Sequence, residues 1–137
     1  MNWIVANIKW LMLMSGVLTC TMLYAAVAPQ EALQSNFGER LEGPVAEIVV
    51  RNWGALIGLV GAMLIYGAFN PASRPMALAV AALSKLTFIT LVLVYGQQFL
   101  DAQAGIAIAV DFVWVLLFAA YFVAGRNVPR ARVVERV

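Results

Sequence analysis

The third apolar run of the chain decides the fold, and at residues 75–99 it reads PMALAVAALSKLTFITLVLVYGQQF. It contains a single charged side chain, Lys85. A helix needs about 20 mostly apolar residues to cross about 30 Å of hydrocarbon. Comparable runs lie at residues 3–27, 46–69 and 104–124. Because these runs are continuous rather than alternating, they predict an all-α fold, a four-helix transmembrane bundle, and not strands.

The composition of the whole chain indicates the same class of protein. Of the 137 residues, 64% are hydrophobic and 12% are charged, whereas soluble domains are about half apolar and about a quarter charged. We therefore expect the lipid bilayer as the main partner of a bundle at residues 1–125. The basic excess lies in a short tail, residues 126–137, beside a predicted span. That position is typical of a topology signal, so we expect no nucleic-acid partner.

Charges outside the spans predict an orientation. With four spans, Lys9 and Arg74 lie on the same side as the arginines of the tail. The opposite side is mainly acidic, with Glu31, Glu39, Glu42 and Asp101 against Arg40. The positive-inside rule therefore places both termini, and the tail, in the cytoplasm. We expect a multi-pass protein of a bacterial inner membrane.

Polar and proline-rich segments predict where the helices end. Residues 29–31 are expected to end the first helix, and residues 34–44 are expected to form the longest loop. This loop is predicted to hold at most a short amphipathic turn, with Leu33, Phe37 and Leu41 on one face. Residues 70–75 form a tight connection in which Pro75 suits the first turn of the third helix.

Few side chains in this sequence support catalysis. There is no histidine and only one cysteine, Cys20. The absence of histidine removes the commonest metal ligand and the commonest general base near neutral pH. A lone cysteine forms neither an intrachain disulfide nor a thiolate metal cluster. We expect no metal, no cofactor and no catalytic residues. The sequence favours a protein that is not an enzyme. The alternative is an enzyme in which Glu47 or Asp111 acts as the base.

The charges inside the apolar runs are the main candidates for a function. A charge deep in hydrocarbon costs at least a few kcal/mol, about 2.5–3.5 on insertion scales, so Lys85 and Asp111 need a partner. Glu47 and Arg51 are spaced to pair along one helix face. Helical depths predict one polar ligand-binding cluster of Glu47, Arg51, Lys85 and Asp111, with Trp114 adding aromatic surface. Asp111 is expected to be the acceptor for Arg51, Lys85 or both, with Arg51 as its closer partner and Lys85 as the deeper, less readily satisfied charge.

The second helix also carries a stripe of small residues, Gly54, Gly58 and Gly61. Small residues at this spacing let helices approach closely in lipid. Glu47 and Arg51 lie roughly on the same stripe, so the sequence predicts one inward face that combines tight helix contact with the polar groups.

Several of these motifs together resemble the DoxX-like group of small bacterial four-helix membrane proteins. The matching elements begin with Ala28-Pro29 at the end of the first span and Phe37-Gly38 in the loop. They continue with Val50-Arg51-Asn52-Trp53-Gly54, the run Gly58-Leu59-Val60-Gly61, and the acid Asp111 early in the fourth helix. The resemblance spans most of the chain and implies a fold more than an activity.

Three functional hypotheses follow. The leading one is a non-catalytic accessory or assembly subunit, or a homo-oligomer, that uses the glycine face of the second helix as its contact surface with other membrane subunits or itself. The first alternative is a binding protein for a lipid-like or small apolar ligand at Arg51, Lys85, Asp111 and Trp114. The second is an ion- or proton-coupled transporter or channel in which Lys85 or Asp111 titrates.

Overall fold

The computed structural model describes the backbone of residues 2–126 and the side chains of residues 3–125. All regular secondary structure in this part of the chain is helical. The basic tail predicted at residues 126–137 lies outside the described residues, apart from the backbone of Arg126. The helices are α1 (Asn2–Cys20), α2 (Leu23–Val27), α3 (Pro29–Phe37), α4 (Pro44–Phe69), α5 (Arg74–Tyr95) and α6 (Gln103–Arg126), with a 3₁₀ turn at Gln97–Phe99.

Four segments of the described chain are long and apolar enough to cross a membrane, which confirms the prediction of four candidate spans. They are Trp3–Val27, Pro44–Phe69, Arg74–Tyr95 and Gln103–Gly125. α1 packs against α4, α4 against α5, and α5 against α6, which returns to α1. This arrangement is compatible with a four-helix bundle. Large apolar side chains such as Leu59, Leu83 and Ile106 cover its outer faces, as expected for a surface that contacts lipid.

Prolines begin three of the helices, because the first turn of a helix has no use for the N–H that proline lacks. Pro29, Pro44 and Pro75 each lie in the first two positions of α3, α4 and α5. α5 ends at Tyr95, before the predicted end at residue 99. The chain turns at Gly96 and continues as the 3₁₀ turn, so the prediction for this end was wrong.

The first span is not one continuous helix. α1 ends at Cys20, and α2 begins at Leu23. Between them, the backbone N–H groups of Thr21 and Met22 bond to carbonyls three residues back rather than four, as in a 3₁₀ helix. The Thr21 hydroxyl also donates to the carbonyl of Leu18, at 2.5 Å. A threonine that bonds to the backbone in this way competes with regular helical bonding.

A helix replaces the first part of the loop expected after the first span. α3 begins at Pro29 and ends at Phe37, where Gly38 adopts a φ of 73° and its N–H bonds to the carbonyl of Gln34. Only a residue that tolerates positive φ closes a helix in this manner. Leu33 is buried and Phe37 packs beside it, whereas Leu41 is exposed. The predicted amphipathic turn is therefore a short helix that excludes Leu41.

One part of the bundle is a packed apolar core, here called the packed half. Its largest fully buried side chains are Phe118, Met12, Leu64 and Leu78. They belong to a cluster with contributions from α1, α4, α5 and α6: Ile8, Leu11, Met12, Leu64, Ala68, Ala77, Leu78, Ala81, Trp114 and Phe118. This cluster lies toward the end of the bundle where α1 begins and α6 ends.

The glycines of α4 lie at the closest helix contact in the bundle. A Cβ on Gly61 would lie 2.7 Å from the Cys20 sulfur and 2.8 Å from the carbonyl oxygen of Gly16. A Cβ on Gly54 would lie 2.6 Å from the backbone nitrogen of Ala26. Because real Cβ atoms do not approach backbone this closely, only glycine permits α4 to pack at this distance from α1 and α2. The stripe of Gly54, Gly58 and Gly61 is therefore covered by the chain itself.

Candidate functional site

Lys85 and Asp111 form a buried ion pair between α5 and α6. The Lys85 ammonium donates a hydrogen bond to one carboxylate oxygen of Asp111. It also donates to the hydroxyl of Thr19 on α1, at 3.4 Å. The exposed fraction of the side chain is 9% for Lys85 and 19% for Asp111. One lysine near the middle of α5 thus joins three of the four spans.

The pairing lowers the cost of placing Lys85 and Asp111 inside apolar helices. Insertion scales put a lone charge at the centre of a spanning helix at about 2.5–3.5 kcal/mol, and charges there almost always pair or face a water-filled space. Lys85 and Asp111 pair with each other, and they also line a cavity. Removal of one partner would leave the other buried and uncompensated, which is costly even where the intact pair adds little net stability.

The cavity beside this pair has a volume of about 270 Å³. It lies between the ion pair and the end of the bundle where α4 begins. The part of the bundle that surrounds this cavity is here called the cavity half. The wall of the cavity is formed by α1, α3, α4, α5, α6 and the break between α1 and α2: Leu18, Thr19, Thr21, Met22, Asn36, Trp53, Ile57, Val60, Ser84, Lys85, Phe88, Gln103, Ile106, Ala107, Val110 and Asp111. The wall is mostly apolar, with a few polar groups near the charges.

The polar groups of the cavity keep hydrogen-bonding capacity. An ammonium has three N–H donors, and residues 3–125 accept two hydrogen bonds from Lys85. Within the same range, one of the two carboxylate oxygens of Asp111 has no hydrogen-bond donor. Ser84 and Gln103 add a hydroxyl and an amide to the wall. A molecule in the cavity therefore finds both donors and acceptors beside the ion pair.

The break between α1 and α2 lies at the cavity wall. Leu18, Thr19, Thr21 and Met22 surround the break, and all four line the cavity. Irregular backbone at membrane depth is tolerated only where it is buried in protein or borders a water-filled space. The residues at the break lie against the other helices that form the cavity, a position in which a discontinuous helix is tolerated.

Arg51 is not the partner of Asp111, and this prediction was wrong. Its guanidinium lies 3.6 Å from the carboxylate of Glu47, with both side chains about half exposed. It also donates to the carbonyls of Ala26 and Val27, at 2.7 and 3.0 Å. Those carbonyls belong to the last turn of α2, where a cation complements the helix dipole and the unpaired acceptors. Arg51 therefore caps α2, and the expected pairing with Glu47 forms outside the cavity.

The predicted four-charge cluster thus separates into two pairs. The glycine stripe of α4 faces α1 and α2, but Glu47 and Arg51 remain exposed at the start of the same helix. Arg51 and Gly54 both lie against Ala26 of α2, so the glycines and Arg51 do share a face. The prediction that the charged part of this face points inward was wrong, because Arg51 and Glu47 are about half exposed. Trp114 also lies elsewhere than expected. It is buried in the packed half, 6.1 Å between ring centroids from Phe118, and does not line the cavity.

Several cavity residues carried little signal in the sequence. Thr19 contacts Lys85, and Trp53 and Phe88 form an aromatic part of the wall. The signal for Thr19 in the sequence was the polar run Thr19-Cys20-Thr21 inside an apolar span. Trp53 and Phe88 resemble ordinary core residues, so only their positions around the cavity identify them.

No family model matches this sequence, and neither the comparison with curated proteins nor the comparison with solved structures found a match. The function is therefore argued from the geometry of the cavity. Among the described residues, no group of three potential metal ligands comes together. The chemistry that the cavity does offer is hydrogen bonding beside a neutral ion pair, surrounded by apolar and aromatic surface.

Proposed function

We propose that this chain is an integral membrane protein that binds a small, electrically neutral amphiphile in the cavity beside Lys85 and Asp111. One observation carries the proposal: a buried ion pair with unused hydrogen-bonding capacity lines a cavity of about 270 Å³. Binding sites for small molecules are typically concave, largely apolar, and supplied with a few convergent polar groups. The cavity wall has this composition.

The ion pair favours a neutral head group over a charged one. Lys85 and Asp111 already neutralise each other, so an anionic head would compete with Asp111 for the ammonium. It would then leave a buried carboxylate without a counter-charge, which is strongly unfavourable. A hydroxyl or carbonyl head, by contrast, accepts from Lys85 or donates to Asp111 without disturbing the pair. We therefore assign the ligand to neutral molecules with hydroxyl, ester or amide heads.

The proposed orientation follows from the charges and sets the side on which the ligand is held. If both termini lie in the cytoplasm of a bacterium, the cavity half faces the outer side of the inner membrane. The resemblance to DoxX-like proteins supports a bacterial membrane protein of this size.

Binding to protein in lipid nanodiscs tests the proposal, with 1-monolauroylglycerol as the neutral probe. Laurate and dodecyltrimethylammonium serve as anionic and cationic probes with the same chain length. We expect saturable binding of the neutral probe, measured by native mass spectrometry and by an increase in thermal stability. The double variant Lys85→Met with Asp111→Leu should abolish this binding, because it removes both polar groups without leaving an unpaired charge. Glu47→Gln, in the exposed ion pair, is the matched control and should bind as the unchanged protein does.

Two results would contradict this proposal. One is equal binding by the double variant and the unchanged protein, which would place the probe outside the cavity. The other is tighter binding of laurate than of the neutral probe, which would show that charge neutrality does not select the ligand.

The broken first span favours transport as a second candidate function. Discontinuous helices near the middle of a membrane are common at the substrate and ion sites of secondary transporters. Flux of protons and of labelled monolauroylglycerol through liposomes would test this candidate. Its rate should fall in Asp111→Asn if the acid takes part, whereas a rate equal to that of empty liposomes would exclude transport of these species.

The accessory or homo-oligomeric role was predicted from the glycine face of α4, and this face is covered within the chain. Gly54, Gly58 and Gly61 contact α1 and α2 of the same chain and are not available to another subunit. An assembly role therefore remains a prediction that needs a different contact surface.

A further inference from the structure

A second cavity lies next to the first, at the outer side of α4 and α5. Its volume is about 340 Å³, and its lining is almost entirely apolar or aromatic. We call it the aromatic groove. Its lining residues come from α3, α4, α5 and the 3₁₀ turn: Leu33, Phe37, Val49, Val50, Trp53, Phe88, Leu91, Val92, Tyr95, Gly96 and Phe99.

Two side chains belong to both cavities. Trp53 and Phe88 line the aromatic groove and also the cavity that contains Lys85 and Asp111. The two spaces are therefore neighbours on either side of one aromatic wall, and a ligand that occupies both must pass between these two side chains or beside them. The polar groups lie on one side of that wall, and the other side is nearly free of polar surface. This division into a polar and an apolar compartment matches the two parts of an amphiphile.

Aromatic contacts connect three of the elements that line the groove, α3, α4 and the 3₁₀ turn. Phe37 of α3 lies 6.2 Å from Trp53 and 5.4 Å from Phe99, measured between ring centroids. Such pairs are stabilising by about 0.5–1.5 kcal/mol beyond the area they bury. The 3₁₀ turn and α3 thus form part of the wall.

The other edge of the groove is open to the surroundings of the bundle. Val49, Leu91 and Tyr95 line the groove, and each of them is exposed. They lie on α4 and α5, within segments that are long and apolar enough to span a membrane. A hydrocarbon chain in the groove would therefore keep contact with the surrounding lipid, and no water would need to enter or leave.

We infer that the aromatic groove holds the hydrocarbon chain of the ligand whose head group binds beside Lys85 and Asp111. The inference rests on the proposed function and adds the position and number of the chains. Pockets for small ligands range over about 300–1,000 Å³, and each of the two spaces lies near the lower limit. The ligand class is thus a neutral amphiphile with one chain rather than a phospholipid with two chains.

Photolabelling in nanodiscs tests this placement. The probe is 1-monolauroylglycerol with a diazirine at the end of its chain, and unlabelled 1-monolauroylglycerol is the competitor. We expect saturable adducts on groove residues of α3–α5, located by mass spectrometry of proteolytic fragments. Leu91→Trp should fill the groove and lower these adducts about tenfold, which corresponds to about 1.4 kcal/mol. Leu93→Trp is the matched control, because Leu93 is exposed on the same helix but lines neither cavity, and it should label normally.

The outcomes separate this inference from the proposed function. Saturable adducts near Leu18 and Ile106, with none in the groove, would overturn the inference, since the chain would then leave between α1 and α6. In that case binding would still depend on Lys85 and Asp111, and the proposed function would stand. Groove adducts that disappear when two protein copies share one nanodisc would assign the groove to a subunit contact and overturn the inference. Saturable labelling that the Lys85→Met, Asp111→Leu double variant leaves unchanged would contradict the proposed function itself.

Discussion

The packed half and the cavity half of the bundle share α1, α4, α5 and α6 but use them in different ways. In the packed half, Phe118, Met12 and Leu64 are fully buried against one another. In the cavity half, Lys85 and Asp111 line a space of about 270 Å³, and the helix that borders them is broken. The comparison teaches that the close-packed core and the space for the proposed ligand lie at different depths. The packed half holds the helices together, so the cavity half can keep an open space with polar groups.

The largest expected effect is in the packed half. Phe118→Ala should destabilise the protein by about 3–5 kcal/mol, because it leaves a void among side chains that cannot collapse. Phe88→Ala, the matched change in the cavity half, should cost only about 1–2 kcal/mol, since Phe88 is half-buried and already borders two cavities. Reversible unfolding in detergent, followed by circular dichroism, compares them. Equal losses would show that the halves are equally well packed.

The next largest loss of stability is expected from a charge change in the cavity half. Lys85→Met should cost about 3 kcal/mol, because it leaves the Asp111 carboxylate buried without a partner. Adding Asp111→Leu to this variant should restore most of the lost stability. The same unfolding measurement compares the stability of the single and the double variant. A single variant as stable as the unchanged protein would mean that water in the cavity solvates Asp111, and that the ion pair has no structural role.

The glycine contact between α1 and α4 is expected to give an intermediate effect. Gly61→Ala should destabilise by about 1–3 kcal/mol, the range for overpacking, since the new Cβ would meet Cys20 and Gly16 at less than 3 Å. Gly125→Ala is the control, because a Cβ there has no neighbour within 4 Å. That change should be neutral or slightly stabilising. A Gly61→Ala variant with unchanged stability would show that α1 and α4 separate easily, which would weaken the contrast between the halves.

The smallest effects concern the exposed ion pair at the start of α4. Glu47→Gln should change stability by less than about 0.5 kcal/mol, because exposed pairs contribute little. Arg51→Met should cost about 1 kcal/mol, since the arginine also satisfies the last carbonyls of α2. Thermal unfolding in low and high salt measures both. If the two variants lost the same amount, Arg51 would act through Glu47 alone and not as a cap.

The sequence predicted the spans well and the partners poorly. The hydrophobic runs predicted helices close to the observed Pro44–Phe69 and Gln103–Gly125, because length and apolar content are properties of each segment alone. It also identified Lys85 and Asp111 as charges that need a partner. It assigned Arg51 to Asp111 from depth along the helices, but depth gives no information about which direction a side chain faces. The rotation of α4 directs Arg51 to the end of α2 instead.

The sequence by itself therefore determined the class of protein, the four apolar helices and the two charges that cannot stay unpaired in hydrocarbon, since each follows from local composition and the cost of burying charge. Only the tertiary structure decided that Lys85 pairs with Asp111 and Thr19, that α1 breaks at Thr21, and that a cavity lies beside them. Those features depend on how neighbouring helices are rotated and how closely they approach. Contacts among residues distant in the chain set both quantities.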